Sequence, residues 1–221
     1  MDLVTAHGLV LATGHMVIHA TSMAPLMTAR AAGSLSVIFD VVAAGWWLFE
    51  FLMHGRIAPQ TGNENKPPDR TNVAVVYGIY LSVIAAEVLG HFGHLPWPGH
   101  NTWPVITGIV LVATGTAIRA WSMRTLGRFF QFHIQILDGH RVVTDGPYRF
   151  VRHPSYTGLI LVMAGFGFAG GDIWGLVAAL VIIGTALTIR IRAEERLLTV
   201  EFGPEYERFA AKRKRVLPAV L

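Results

Sequence analysis

The residues from Gln135 to Tyr156, QILDGHRVVTDGPYRFVRHPSY, concentrate histidine, arginine and tyrosine side chains around a Gly-Pro pair, inside a chain otherwise built of apolar runs. Pro147 fixes its own φ and turns Gly146 away from helical geometry, which forces a turn. Pro154 follows seven residues later, where a missing N–H is tolerated only at the start of a helix. His140, Tyr148, Arg152, His153 and Tyr156 are therefore expected on a folded loop that opens into a helix, and such a loop can close over a small polar molecule. A second polar group stands in TIRIRAEERLLTVEFGPEY, where Arg190 and Glu194 share one helical face with Glu195 beside them. Ionisable side chains at a membrane boundary are costly unless they are paired or functional. The plain alternative is an i,i+4 ion pair worth roughly 0.2–0.5 kcal/mol.

These residues need a scaffold, and the composition says which kind. Hydrophobic residues make up 52% of the 221 and charged residues only 14%, against about 25% charged in soluble domains. That is the profile of an integral membrane protein, for which spans of about 20 apolar residues are required. Apolar runs extend over Leu3–Leu26, Leu35–Met53, Val73–Leu95, Val105–Trp121, Tyr156–Ala169 and Ile173–Ile189. The first follows MDLVTAHG, which lacks the basic residues of a signal peptide, so it reads as a retained helix. The last two are short and joined by Gly170-Gly171-Asp172, which predicts a helical hairpin, and the tail from Arg192 to Leu221 reads as an amphipathic helix on the membrane surface. The expected fold is an all-α polytopic membrane bundle of five to six spans, with a three-span region at 1–103 and a core at 104–221.

Six spans put 17 of the 18 Lys and Arg residues on one side and Arg30 alone on the other. The positive-inside bias then places both termini and the polar loop in the cytoplasm. The net charge of +4 belongs to that membrane edge and argues against nucleic acid as a partner. The absence of cysteine excludes disulfides, thiolate metal sites and cysteine nucleophiles.

The amino-terminal half carries His15, His19, Asp40, Glu50, Glu87, His91 and His94 in or near its apolar runs. The spacing of His15 and His19 suits two ligands on one helix, so a metal or haem site is conceivable. The preferred reading assigns no metal: these histidines gather toward the outer face as a polar cluster that closes the bundle by hydrogen bonds.

Four segments together resemble a known family. They are Gln135, then HRVVTDGPYRFVRHPSYTG from His140 to Gly158, R-x-x-x-E-E from Arg190 to Glu195, and FGPEY from Phe202 to Tyr206. In that order, between apolar spans, they resemble the isoprenylcysteine carboxyl methyltransferases and their bacterial and archaeal relatives, which also look related to phospholipid N-methyltransferases. The resemblance covers roughly Trp121–Pro218. It implies a membrane enzyme that takes a methyl group from S-adenosylmethionine at a cytoplasmic cofactor-binding loop. It implies a cofactor site of Gln135, His140, Arg141, Val142, Val143, Tyr148, His153, Pro154, Ser155, Tyr156 and Glu194. It also implies that Arg190 faces the acceptor carboxylate, so that Arg190 and Glu194 carry the catalysis.

The residue chemistry agrees with that resemblance. A sulfonium bearing an amino-acid end, a ribose and a purine calls for a carboxylate, cationic donors and an aromatic slot, and the loop with Glu194 offers all three. Methyl transfer to a carboxylate needs alignment and exclusion of water, and the Arg190 fork suits two hydrogen bonds to a carboxylate. An amine acceptor would instead need a proton acceptor, for which Glu194 or Glu195 is placed. The leading acceptor by resemblance is a prenylated cysteine carboxylate, taken from among membrane lipids, with a phospholipid amine or a small hydrophobic thiol as alternatives. From other classes stand an NADPH-dependent membrane reductase, although no Gly-rich dinucleotide fingerprint is present, and a non-catalytic scaffold or transporter. Plain readings also attach to single residues: Tyr148 and Tyr156 as interface aromatics, His153 as a local cap, and Arg141, Arg149 and Arg152 as products of the positive-inside bias.

Overall fold

The structure is a computed structural model that describes residues 34–56, 70–92, 95–98, 102–132, 134 and 136–216. The first apolar run, with His15 and His19, lies outside the described residues, as do His94 and Gln135. The described chain forms α1 (Ser34–Arg56), α2 (Arg70–Phe92), α3 (Thr102–Leu126), α4 (Pro154–Ala169), α5 (Ile173–Phe202) and α6 (Pro204–Ala211), with short 3₁₀ turns at Gly127–Phe129 and Gly146–Arg149. Helices α1, α2, α3 and α5 are long and apolar enough to cross a membrane, and α4 is a shorter apolar helix. An all-α membrane bundle is what the apolar runs predict.

Small residues let the helices meet. A Cβ on Gly115 of α3 would lie 2.5 Å from the Gly158 carbonyl of α4, and one on Gly158 would lie 2.5 Å from the Gly115 carbonyl. Gly108 and Gly165 repeat the relationship two turns away at 2.8 Å. Lipid tails are as apolar as leucine, so close backbone approach takes the part that water exclusion plays in soluble bundles. Between α2 and α5, the buried Ser82 hydroxyl contacts the carbonyl oxygens of Gly78 at 2.6 Å and Ala179 at 3.1 Å. Around these contacts Phe39, Trp46, Val112, Leu159, Met163, Phe166, Ile183 and Leu187 form the core.

The hairpin between α4 and α5 turns at Gly171, which has φ +87°. Asp172 caps α5 by accepting from Trp174 N at 2.8 Å, and its other oxygen accepts from Leu95 N at 2.9 Å. Trp97 stacks on Phe168 at 4.9 Å, so the connector after α2 is fastened to the hairpin tip.

Two expectations are corrected. The helix of the last apolar run does not end with that run at Ile189: α5 is 30 residues long and reaches Phe202, about 45 Å against a hydrocarbon thickness of about 30 Å. Arg190, Glu194 and Glu195 are thus in the body of a helix that projects past the apolar layer. Nor is the tail from Arg192 onward one surface helix. Gly203 adopts φ +49° and Pro204 follows it, which ends α5. Helix α6 then turns Tyr206 and Phe209 inward, where both are buried, so protein rather than lipid covers its apolar face.

After α6 the chain returns across the polar loop. Val151 pairs with Lys214 in an isolated parallel bridge. Arg152 N donates to Lys214 O at 2.9 Å, His153 N donates to Arg215 O at 2.8 Å, and Val216 is buried in the core. Of the four histidines expected in an outer cluster only His91 is described, and it is exposed at the end of α2.

Candidate active site

The helices alternate in direction, so the end of α1, the start of α2, the end of α3, the start of α4 and the second half of α5 meet at one end of the bundle. The polar loop folds over that end. Gly146, at φ +54°, begins the turn that Pro147 demands, and a Cβ there would lie 2.6 Å from Thr125 Oγ1, so the turn rests on the last residues of α3. Pro154 is the first residue of α4. His153 occupies the N-cap position but makes no side-chain cap. Its ring instead lies with Nε2 3.3 Å from Glu195 Oε1, so the reading of His153 as a local cap is set aside.

A cleft that is partly open to its surroundings lies here. Of the expected cofactor residues, His140, Tyr148, His153, Ser155, Tyr156 and Glu194 line it, and Arg190 does too. Arg141, Val142, Val143 and Pro154 are not among the lining residues, and Arg141 is exposed. Phe129, Phe130, Phe132, Ile134 and Ile136 give the cleft an apolar wall.

One hydroxyl joins the two α5 residues to the loop. Tyr156 Oη donates to Glu194 Oε2 at 2.9 Å and accepts from Arg190 Nε at 3.2 Å. Arg190 is only 4% exposed. Its Nη1 donates to Thr71 Oγ1 at 2.9 Å and its Nη2 to Phe132 O at 2.7 Å, so α2 and the loop both hold the guanidinium in place. Tyr148 is buried as well, which pushes its phenol well above the usual tyrosine range, with the nearby Glu194 carboxylate adding to the effect. Neither tyrosine is an interface aromatic: Tyr148 is buried and Tyr156 is bonded inside the cleft.

His140 stacks on Phe129 with centroids 4.7 Å apart and rings 4° from parallel, and meets the edge of Phe202. Burial holds its imidazole below the usual value of 6.5, against the raising influence of Glu194 and Glu201, which favours the neutral ring. Its Nδ1 is buried and has no hydrogen-bond partner among the described residues.

Glu195 is a separate hub. Arg152 Nη1 lies 2.8 Å from its Oε1, and Arg215 donates to its Oε2 at 3.0 Å. Arg152 is therefore an ion-pair partner rather than only a product of charge bias, whereas Arg149 is exposed over the Phe150 ring. Three contributors went unseen in the sequence: Thr71, the Phe132 carbonyl, and the Glu50–Arg119 pair behind Ser155. A signal for the last existed, since a lone Glu in one apolar run and a lone Arg in another each demand a partner.

Residues 107–200 match the isoprenylcysteine carboxyl methyltransferase (ICMT) family. Among curated proteins, a probable protein-S-isoprenylcysteine O-methyltransferase of Oryza sativa subsp. indica is 35% identical over 115 residues, covering 51% of this chain and 60% of that one. Protein-S-isoprenylcysteine O-methyltransferase B of Arabidopsis thaliana is 26% identical over 146 residues, covering 65% and 74%. The Homo sapiens protein-S-isoprenylcysteine O-methyltransferase is 32% identical over 134 residues, covering 56% and 45%. The chain thus spans 60% of the length of its rice relative. In fold, it is similar to the eukaryotic intramembrane Ras methyltransferase ICMT, with a TM-score of 0.57 at 18% identity over 96% of this chain and 87% of that one. The resemblance in the loop motifs, the membrane-helix fold and the match over α3, α4 and α5 converge: through residues 107–200 the chain is similar to the isoprenylcysteine carboxyl methyltransferase family.

Proposed function

We propose that this chain transfers a methyl group from S-adenosylmethionine to a lipophilic acceptor, in the first instance the carboxylate of a prenylated cysteine. The observation that carries the reading is the Tyr156 hydroxyl, which joins a buried arginine to a carboxylate inside a cleft built from the family's motifs.

The donor set suits the methyl donor. Glu194 offers a carboxylate to its cationic or hydroxyl-bearing parts, His140 has an Nδ1 without a partner among the described residues, and the phenylalanine wall offers flat apolar surface to a purine. We assign His140, Tyr148, His153, Ser155, Tyr156 and Glu194 to hold it, with Arg141, Val142, Val143 and Pro154 shaping the segments that carry them. Gln135 keeps its assignment through the motif alone. When bound, S-adenosylmethionine supplies a methyl group activated by a sulfonium.

The remaining work falls to the chain's own residues. Arg190 binds and orients the acceptor carboxylate, whose oxygen is already a nucleophile, so no proton has to move. Tyr156 keeps Arg190 and Glu194 in register. Leu126, Leu197 and Leu198 line the cleft with Arg190 and limit water around the reacting groups. The acceptor's apolar part stays in lipid while its polar end reaches α5. We place the cleft and both termini on the cytoplasmic side, because 17 of 18 Lys and Arg residues fall there in a six-span chain. Residues 104–221 carry most of the site, and the region 1–103 adds Thr71.

The test is calorimetric titration of the purified chain with S-adenosylhomocysteine and with NADPH, followed by a radiolabelled methyl-transfer assay on prenylated model acids and extracted lipids. The expected result is binding of S-adenosylhomocysteine and label in a base-labile ester. Binding of NADPH alone would replace the reading with a reductase, and label on a phospholipid amine would change the acceptor.

A further inference from the structure

Ser155 is the second residue of α4, too early to bond a carbonyl of its own helix one turn back. Other hydroxyls of the bundle do so: Thr116 donates to Val112 O at 2.7 Å, Ser122 to Ile118 O at 2.7 Å and Thr188 to Gly184 O at 2.7 Å. Ser155 Oγ instead accepts from Arg119 Nη1 at 2.7 Å. The same guanidinium faces Glu50 of α1, with Nε bonded to Oε1 and Nη2 to Oε2 at 2.9 Å. Arg119 is 5% exposed, and Glu50 and Ser155 are each 6% exposed. Arg119 and Ser155 both line the cleft. Since Ser155 Oγ accepts from Arg119, its own proton is left over, and among the described residues it has no acceptor.

A buried ion pair is weak evidence for stability, because apolar residues of similar volume often replace one without loss. We infer that Glu50 and Arg119 are positioning residues, which clamp the Ser155 oxygen as an acceptor so that its hydroxyl donates into the cleft, toward an oxygen or nitrogen acceptor of the bound methyl donor. Glu50 lies in α1, before the start of the family match at residue 107, so a helix outside the matched segment sets the junction of loop and α4. The inference rests on the proposed reading for the identity of the ligand, but not for the clamp.

The test uses the full chain in nanodiscs. Glu50→Leu combined with Arg119→Met removes the clamp and leaves no stranded charge, Arg119→Lys keeps the charge but loses the fork that reaches Glu50 and Ser155 together, and Ser155→Ala removes the acceptor. For each, the melting midpoint, the hydrogen exchange of residues 150–159 and the affinity for S-adenosylhomocysteine are measured. The double variant is expected to melt near the parent, to exchange about tenfold faster in that segment and to bind about tenfold more weakly, with Ser155→Ala matching it in affinity. If the double variant misfolds, Arg119→Lys carries the same expectation. Parent-like exchange in a folded clamp variant overturns the inference. If the parent itself fails to bind S-adenosylhomocysteine, the functional reading falls, and the exchange rates alone decide the clamp.

Discussion

Tyr156 donates its hydroxyl to Glu194 across 38 residues of sequence, and the bond is 2.9 Å long. The same oxygen accepts a hydrogen bond from Arg190 Nε, so a single phenol sets the spacing of the two charged α5 residues in the cleft. Tyr156→Phe keeps the ring that stacks on His153 at 5.6 Å and removes only the bridge. A hydrogen bond to a charged group is worth about 1.5–3 kcal/mol, so methyl-transfer kcat/KM is expected to fall about tenfold to a hundredfold with little change in melting midpoint. Steady-state assays with a prenylated acid beside a thermal melt check this, and parent-like kinetics would remove Tyr156 from the machinery.

Arg190 and Glu194 should divide the work. Glu194→Ala is expected to weaken S-adenosylhomocysteine binding by tenfold or more, whereas Arg190→Ala mainly spares the cofactor and impairs turnover of a carboxylate acceptor to a similar degree, both on the order expected for a charged hydrogen bond. Calorimetry on both variants, with kcat and KM, separates the two. Equal losses of cofactor affinity with no further kinetic defect would contradict the division.

The α3–α4 seam predicts opposite responses to one chemical change. Gly158→Ala places a methyl group 2.5 Å from the Gly115 carbonyl, and overpacking of that kind costs about 1–3 kcal/mol. Gly184 of α5 has nothing within 4 Å of an added Cβ, so Gly184→Ala is expected to be neutral or to stabilise by up to about 1 kcal/mol through helix propensity. Paired melts of the two variants read the sign directly.

His140 gives a pH dependence. Burial holds its folded value below the ordinary 6.5, so between the two values the unfolded chain binds more protons than the folded one. The stability contributed by the neutral ring is therefore full above 6.5, falls as the pH drops below it, and levels off once the folded imidazole also protonates. His140→Phe preserves the stack on Phe129 and should flatten this part of the profile. Melting midpoints of both proteins at steps from neutral to acidic pH provide the measurement, and identical slopes would exclude His140 as the source.

Local chemistry made some of this legible. Pro154 announced the start of α4 and Gly146-Pro147 announced the turn, because each acts on its own backbone. The apolar runs located α1, α2, α3 and the α4–α5 hairpin for the same reason. The Glu50–Arg119 clamp joins residues 69 apart and has no periodicity to betray it. Gly108, Gly115, Gly158 and Gly165 carry a seven-residue spacing in each helix, but nothing in that spacing says which helix meets which. The tail misled more thoroughly. Its charges obey the rules for a membrane surface, while the tail is fastened by the carbonyls of Lys214 and Arg215, the Arg215 guanidinium on Glu195 and the buried side chains of Tyr206, Phe209 and Val216, and the backbone part of that fastening leaves no mark in a residue pattern.

That strap also orders events during synthesis. The N–H groups of Arg152 and His153 find their partners at Lys214 and Arg215, 62 residues later. A ribosome must therefore deliver both arms of the hairpin and α6 before the loop's backbone is satisfied. The segment that holds most of the motif residues is among the last to reach its final form, and a nascent chain stalled before residue 214 would present an inserted bundle with an unfinished cleft.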